Sequence, residues 1–204
     1  LRKVLADPLG AELYEQAVRR ADRLTSVSSS ISWLIEATYP DVVDGVTVIA
    51  NPVQLGSLPV KRELRAAMSR WIYVGNLLPD KGVRRLLRSF AQWVEYSRDP
   101  KAALTLVGDG PLRADLEALA AELGVADRVD FRGRVEPERV GEIYAEHDLL
   151  VHLSYSETFG LTCVEAAAVG LPVVAAESAG PTSTLVVHAA LGQAEHVPVS
   201  TDEH

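Results

Sequence analysis

Two glutamates, Glu157 and Glu165, stand out because they lie on either side of the expected start of a helix at Gly160. A glycine there lets a ligand approach backbone N–H groups that carry partial positive charge and lack partners within the helix. This pattern predicts an anion site. Helical side chains lean toward the helix N-terminus, so Glu165, about two turns inside, is expected to face the same crevice as Glu157.

The chemistry of these side chains points to a class of ligand. Carboxylates only accept hydrogen bonds and sugar hydroxyls donate them, so two carboxylates around an anion site suit a nucleotide sugar, with its phosphates between two sugars. Lys81 is a candidate for a mobile positive charge on the same phosphates. Simpler alternatives stay open, with Glu157 as a helix-capping carboxylate and Lys81 as a solvated lysine. Glu165 is harder to explain without a ligand, because an unpaired carboxylate among small apolar residues costs several kcal/mol.

The elements that must position these residues follow from hydrophobic patterning. From Trp71 onward, short aliphatic runs alternate with helical patterns, which predicts parallel strands joined by crossover helices in a doubly wound, Rossmann-like α/β sheet. Ligands bind such sheets beyond the carboxyl ends of the strands, where Gly75, Gly108 and Gly160 are expected. All five predicted strands have buried patterns. They cover residues 71–74, 103–107, 129–131, 149–153 and 172–175.

Helical periodicity and composition also predict the organisation of the chain. Crossover helices are expected to begin near Val83, Pro111, Pro137 and Phe159, with Pro111 at the first helical position. A smaller unit precedes them, with helices over 9–20 and 30–38 and strands over 24–27 and 46–50. We therefore expect a partial first domain over 1–52, a linker over 53–69 and a sheet domain over 70–204 that is truncated at its C-terminus.

Charge and composition exclude several classes of protein. A net charge of −8 argues against a nucleic-acid partner, which requires an electropositive surface. No apolar run is long enough to span a bilayer, and the single cysteine, Cys163, cannot form an intrachain disulfide, so a cytoplasmic protein is expected. Cys163 itself has the pattern of a core residue. The five histidines, among them His147 and His152, show no metal-ligand spacing, so no metal site is predicted.

Several segments, in order, resemble the family 4 retaining glycosyltransferases, which are built from two Rossmann domains. The most specific element is Glu157 and Glu165 with seven residues between them. The resemblance covers nearly the whole chain and implies transfer of a sugar from a nucleoside diphosphate sugar to an acceptor, without a metal or other cofactor. The matching segments are 74–77 with 81–82, 106–111, 129–135, 154–165 and 170–174, while 21–28 and 46–52 are similar to the end of the family's acceptor domain.

The resemblance also implies a role for each matching residue. Glu157 would contact the hydroxyls of the donor sugar and Lys81 the phosphates, which makes these two the expected catalytic residues. Glu165 would accept from the ribose, the backbone of 159–161 would hold the diphosphate, and the backbone of 134–135 would hold the base. The full set of expected donor-binding residues is Gly75, Asn76, Gly108, Arg134, Val135, Thr158, Phe159, Gly160, Leu161 and Glu165.

The sequence departs from the family pattern at a few positions. Asn76 stands where the family usually has an arginine, which removes a bidentate phosphate contact, and Leu153 stands where proline is common. Residues 178–182 replace a usual double glycine and a glutamate. The alternatives are therefore a non-catalytic or weakly active nucleotide-sugar-binding paralogue, or an epimerase or phosphorylase of related architecture. The chain also opens without methionine and lacks most of an acceptor domain, so we expect an inactive fragment whose missing part leaves peripheral membrane contact open.

Overall fold

The structure, a computed structural model, describes residues 7–41, 45–53, 68–176 and, by backbone alone, 194–197. It divides into two compact units, Leu1–Asn51 and Pro52–His204. None of the helices in the described ranges is long and apolar enough to cross a membrane.

The first unit is a small strand–helix–strand piece preceded by a helix. Its elements are α1 (Pro8–Arg20), β1 (Thr25–Ser26), α2 (Ser29–Thr38) and β2 (Thr47–Val48). The strands β1 and β2 pair in parallel, and the core between strands and helices holds Val18, Ile35 and Tyr39. The side chain of Asp7 caps α1 by accepting a hydrogen bond from the Gly10 amide at 3.0 Å. These are the four elements that the sequence predicts, with shorter strands.

The second unit is a parallel sheet with helices on both faces. Its strands stand in the order β5-β4-β3-β6-β7-β8, the arrangement of a doubly wound Rossmann-like sheet. The prediction of this fold is therefore confirmed. The elements are β3 (Arg70–Val74), α3 (Val83–Ser97), β4 (Ala103–Val107), α4 (Arg113–Glu122), β5 (Val129–Gly133), α5 (Pro137–Glu146), β6 (Leu149–His152), α6 (Leu161–Ala168), β7 (Val173–Ala176) and β8 (Ala194–Val197).

Two apolar cores lie on opposite faces of this sheet, because successive side chains of a strand point to opposite sides. In β3, Tyr73 packs with Leu86 and Phe90 of α3 on one face. Its neighbour Ile72 packs with Tyr144 of α5 and residues of α6 on the other face. Helix α3 therefore packs on one face of the sheet, and helices α5 and α6 pack on the other face.

The structure corrects three details of the prediction. Strand β5 is only partly buried, because it is the edge strand, whereas all five strands were expected to be buried. Strand β8 was not predicted, since its four residues include a glutamate and a histidine and form no apolar run. Helix α4 begins at Arg113 rather than Pro111, because the preceding segment is held by another loop through the Leu112 amide, which donates to the Leu77 carbonyl at 3.2 Å.

Candidate functional site

The carboxyl ends of β3 and β6 meet in the middle of the sheet, where the strand order reverses. The loops that follow these two strands lead to helices on opposite faces, and this divergence opens a crevice in doubly wound sheets. Most of the predicted site residues lie here. They are in the loops over 75–82 after β3, 108–112 after β4 and 153–160 after β6.

The loops after β3 and β4 are joined by backbone hydrogen bonds. The amide of Gly75 donates to the carbonyl of Val107 at 2.9 Å, and that of Leu77 donates to the carbonyl of Asp109 at 3.0 Å. Gly108 has a φ of +126°, and a Cβ there would lie 2.0 Å from the Gly75 carbonyl oxygen. Only glycine fits such a close approach. Gly75 and Gly108 therefore shape the floor of the crevice, and their contact with a ligand stays a prediction.

The loop after β3 is also fixed against the loop after β6. Gly82 has a φ of +67°, and a Cβ there would lie 2.0 Å from the carbonyl oxygen of Leu153. The hydroxyl of Ser154 donates to the carbonyl of Asp80 at 3.1 Å. Because these contacts surround the 3₁₀ turn over Pro79–Lys81, they set the position from which the Lys81 side chain extends.

Lys81, Glu157 and His152 form one cluster at the crevice. The Lys81 Nζ lies 2.5 Å from Oε1 of Glu157, and the His152 Nε2 lies 3.1 Å from the same oxygen. The lysine and glutamate side chains keep 20% and 15% of their exposure, so the pair is reachable from solvent while the imidazole is buried. The structure thus brings together the two residues expected to be catalytic.

The carboxyl of Glu157 is held in its ionised form. Burial raises the pKa of this group, but the hydrogen bonds from His152 and Lys81, together with their positive charge, outweigh it and lower the pKa to about 2. An ionised carboxylate offers only acceptors, so Glu157 is set to receive hydrogen bonds from hydroxyl groups.

His152 is a member of the cluster that the sequence analysis missed. It is the last residue of β6, and its ring stacks on Tyr73 of β3 with centroids 6.2 Å apart and planes 9° from parallel. The Tyr73 hydroxyl in turn donates to the Asn76 carbonyl at 2.9 Å. The available signal was a polar residue at the end of an otherwise apolar strand, five residues before Glu157.

The N-terminus of α6 lies four residues after Glu157 in the chain. Gly160 precedes the helix with a φ of +78° and offers no side-chain cap. The Cys163 amide donates to the Gly160 carbonyl at 2.9 Å, while the amides of Leu161 and Thr162 have no carbonyl acceptor among the described residues. Such amides are the donors that bind anions at helix N-termini. The helix is shorter than predicted, beginning at Leu161 rather than near Phe159.

Glu165 lies one turn inside α6 rather than two, and the structure pairs it with Tyr144 of α5. The Tyr144 hydroxyl donates to Oε2 of Glu165 at 3.4 Å, or to the Thr162 carbonyl at the same distance. Burial raises the pKa of Glu165 above its ordinary value, and the Tyr144 hydrogen bond partly offsets that rise. A partly buried carboxylate with one long hydrogen bond retains acceptor capacity for a ligand.

No hydrogen bond or ion pair within the described ranges joins this cluster to the predicted residues Asn76, Thr158, Arg134 and Val135. Arg134 and Val135 follow β5, and the Gly108 amide, which donates to the Gly133 carbonyl at 2.7 Å, holds their loop beside the one after β4. The side chains of Asn76 and Thr158 are exposed, while that of Phe159 is buried. These positions line the same end of the sheet, and their contacts with a ligand stay predictions.

The described residues at this end of the sheet include neither a metal-binding cluster nor a reactive thiol. Within the described ranges no group of three or more His, Cys, Asp and Glu side chains could hold a metal ion. The side chain of Cys163 is fully buried, and burial raises its pKa to about 12. It is therefore a core residue and not a thiolate nucleophile.

Comparison with known proteins adds a family to this geometry. The family of glycosyl transferases group 1 matches residues 63–203. A D-inositol 3-phosphate glycosyltransferase of Nocardia farcinica is 34% identical over 202 residues, covering 91% of this chain and 44% of the relative. A 2-deoxystreptamine glucosyltransferase of Streptomyces kanamyceticus is 30% identical over 179 residues, covering 82% and 46%. The chain thus spans less than half of the length of these curated relatives.

A solved structure supports the fold independently. The Anabaena protein Alr3699/HepE, in complex with UDP and glucose, matches with a TM-score of 0.70 at 24% identity. The match covers 86% of this chain and 50% of that one. At this level of identity the match establishes a shared architecture.

Proposed function

Since the chain belongs to the glycosyl transferases group 1, we propose that it is the donor-binding part of a family 4 retaining glycosyltransferase. The whole protein then moves a sugar from a nucleoside diphosphate sugar to an acceptor. The observation that carries the proposal is the pair of Lys81 and Glu157, held just before the N-terminus of α6. A cation, a set of free amides and a carboxylate in one crevice match a diphosphate joined to a sugar.

Charge stabilisation is the main chemical task of this site. During transfer, the bond between the anomeric carbon and the phosphate oxygen breaks, and its electron pair leaves with the nucleoside diphosphate. The acceptor oxygen forms the new bond and its proton leaves with the diphosphate. Lys81 and the amides of Leu161 and Thr162 supply positive charge where this negative charge develops.

The two glutamates bind the two sugars of the donor in this proposal. Glu157, ionised by its neighbours, accepts hydrogen bonds from the transferred sugar. Glu165 accepts hydrogen bonds from the ribose hydroxyls. These bonds compensate its carboxylate for the hydration that burial removes. The backbone of Arg134 and Val135 binds the base at the end of β5.

No metal ion or other cofactor takes part in the proposed reaction. Divalent cations in sugar-nucleotide sites bridge phosphate oxygens to a cluster of carboxylates. Here Glu157, the carboxylate four residues before the start of α6, already accepts from Lys81 and His152 through one oxygen. We propose that Lys81 and the α6 amides do the work that a cation does elsewhere.

The proposed division of the chain follows from the same resemblance. Residues 1–52 are the end of an acceptor-binding domain, 53–69 a linker and 70–204 the donor domain. Within the described residues, the first compact unit contains one strand–helix–strand piece and a preceding helix. We propose that the 204 residues alone bind a donor without transferring its sugar.

The test is ligand binding by the full-length protein. We expect one of UDP, GDP and ADP, and its glucose or N-acetylglucosamine conjugate, to raise the melting temperature and give a calorimetric affinity. Glu165→Ala should weaken that affinity by about tenfold or more. Glu95→Ala, which removes an exposed glutamate of α3, is the matched control. Failure of the whole panel to bind, or equal affinities in Glu165→Ala and the parent, would contradict the proposal.

Asn76 favours a second candidate, a nucleotide-sugar-binding paralogue with little or no activity. Its side chain is exposed and forms no hydrogen bond to another described residue, and it supplies no cation where the family usually has an arginine. Donor turnover measured on the full-length protein separates the two. Release of nucleoside diphosphate that depends on an added acceptor supports the transferase, and binding without turnover supports the paralogue.

A further inference from the structure

His152 is a buried polar residue that the proposed function does not yet use. Its side chain keeps only 4% of its exposure at the end of a buried strand. Burying an imidazole is unfavourable unless its polar atoms are paired. One of its two nitrogens is paired, since Nε2 contacts Oε1 of Glu157 at 3.1 Å.

The partner fixes the protonation of the ring. Glu157 is ionised and can only accept, so the Nε2 of His152 must carry the proton. The other nitrogen, Nδ1, is buried and has no hydrogen-bond partner among the described residues. The Nε2–H hydrogen bond to Glu157 is therefore the single polar contact of the ring among the described residues.

The ring is also held in orientation. Tyr73 stacks on it almost in parallel, and the Tyr73 hydroxyl is tied to the Asn76 carbonyl. Stacking on the Tyr73 ring therefore fixes the direction of the His152 Nε2–H bond.

Both hydrogen bonds to Glu157 use the same oxygen. Lys81 and His152 each contact Oε1, and no described residue forms a hydrogen bond or ion pair with Oε2. When a diphosphate draws the Lys81 ammonium away, His152 is the contact that remains. A carboxylate held through Oε1 has a second oxygen, Oε2, to which a sugar hydroxyl can donate.

We propose that His152 is a positioning residue that fixes Glu157 for the transferred sugar through the Nε2–H to Oε1 hydrogen bond. This inference rests on the proposed function, and it adds a residue that serves the sugar and not the nucleotide. Loss of His152 should therefore weaken the binding of a nucleotide sugar more than that of the matching nucleoside diphosphate.

Two substitutions in the full-length protein test the inference. His152→Phe keeps a stacking ring and removes the donor, whereas His152→Gln keeps a donor near the position of Nε2 and removes the ring. Calorimetry is done with UDP against UDP-glucose, and with the GDP and ADP pairs. We expect His152→Phe to lose about tenfold for the sugar conjugate and less than twofold for the diphosphate, and His152→Gln to regain most of that loss.

Other outcomes overturn the inference. A merely structural role would make His152→Phe lose affinity for the diphosphate and the sugar conjugate equally, and His152→Gln would not regain affinity. Either result rejects the inference. A second measurement needs no variant of the site: nitrogen-detected NMR of the unaltered protein should show the His152 proton on Nε2, and an unprotonated Nε2 rejects it as well. If the parent binds no ligand of the panel, the proposed function itself fails, which is a distinct result.

Discussion

Lys81 and Glu157 lie 76 residues apart in the chain, yet the Lys81 Nζ is 2.5 Å from the Glu157 Oε1. One residue follows β3 and the other follows β6, so the pair spans the point where the strand order reverses. Each charge is neutralised by the other in this ion pair. A donor that offers a diphosphate to the lysine and a hydroxyl to the glutamate can satisfy both groups at once, because phosphate and sugar are directly bonded.

Glu157 should make stability depend on pH in a predictable direction. Its pKa is lowered from the ordinary value to about 2 in the folded protein, so its contribution is fully present above about pH 4.5 and is lost as the pH falls toward 2. We expect Glu157→Gln to lower the free energy of unfolding by about 3 kcal/mol at pH 7. Urea unfolding from pH 7 down to pH 3 should show the difference shrinking.

The control for this titration is Glu95→Gln on the exposed surface of α3. It should stay within about 0.5 kcal/mol of the parent at every pH, as surface substitutions usually do. A Glu157→Gln difference that stays constant between pH 7 and pH 3 would show that the carboxylate charge does not stabilise the fold.

Glu165 should differ from Glu157, because we expect its charge to lower the stability of the fold while its carboxylate contributes to nucleotide binding. Burial raises its pKa, so its ionised form opposes folding as the pH rises through that raised value. Glu165→Gln removes the charge and still accepts the hydrogen bond from Tyr144. We expect a melting temperature higher by roughly 1–4 °C at pH 7, together with a loss of about tenfold in nucleoside diphosphate affinity. A variant that melts lower, or binds as well as the parent, contradicts this assignment.

Most of the strands and helices, and the loops that form the crevice, could be predicted because they depend on residues close together in sequence. Aliphatic runs, helical periodicity and Gly160 each act within about ten residues. Glu157 and Lys81 were each identified in this way. Their mutual contact could not be, because it depends on how two loops pack against each other.

The parts that the sequence did not predict have the same physical origin. His152 acquires its role from a ring stacked on it by β3 and from a glutamate five residues later, a spacing that matches no motif. The pairing of Glu165 with Tyr144 depends on the packing of α5 against α6. The edge position of β5 is a property of the sheet and not of its residues.

Asn76 offers a gain-of-function test. It is exposed in the loop after β3, five residues before Lys81, so a longer side chain meets no packed neighbour. We expect Asn76→Arg to raise nucleoside diphosphate affinity by about tenfold, because a guanidinium binds phosphate through two parallel hydrogen bonds. Asn76→Gln, similar in polarity but uncharged, is the control and should bind like the parent. Equal affinities in Asn76→Arg and Asn76→Gln would show that no phosphate comes within reach of this loop.

Gly82 and Gly124 form a matched pair that tests how tightly the two loops of the site are joined. Their φ angles, +67° and +70°, impose the same backbone penalty on alanine, about 1 kcal/mol. A Cβ at Gly124 meets nothing within 4 Å, whereas one at Gly82 would lie 2.0 Å from the Leu153 carbonyl oxygen. Urea unfolding should therefore show a loss of about 1 kcal/mol for Gly124→Ala and at least about 3 kcal/mol for Gly82→Ala. Since Gly82 adjoins Lys81, Gly82→Ala should also weaken nucleoside diphosphate binding while Gly124→Ala leaves it unchanged; equal losses of stability in the two variants would mean that the loops are not in contact.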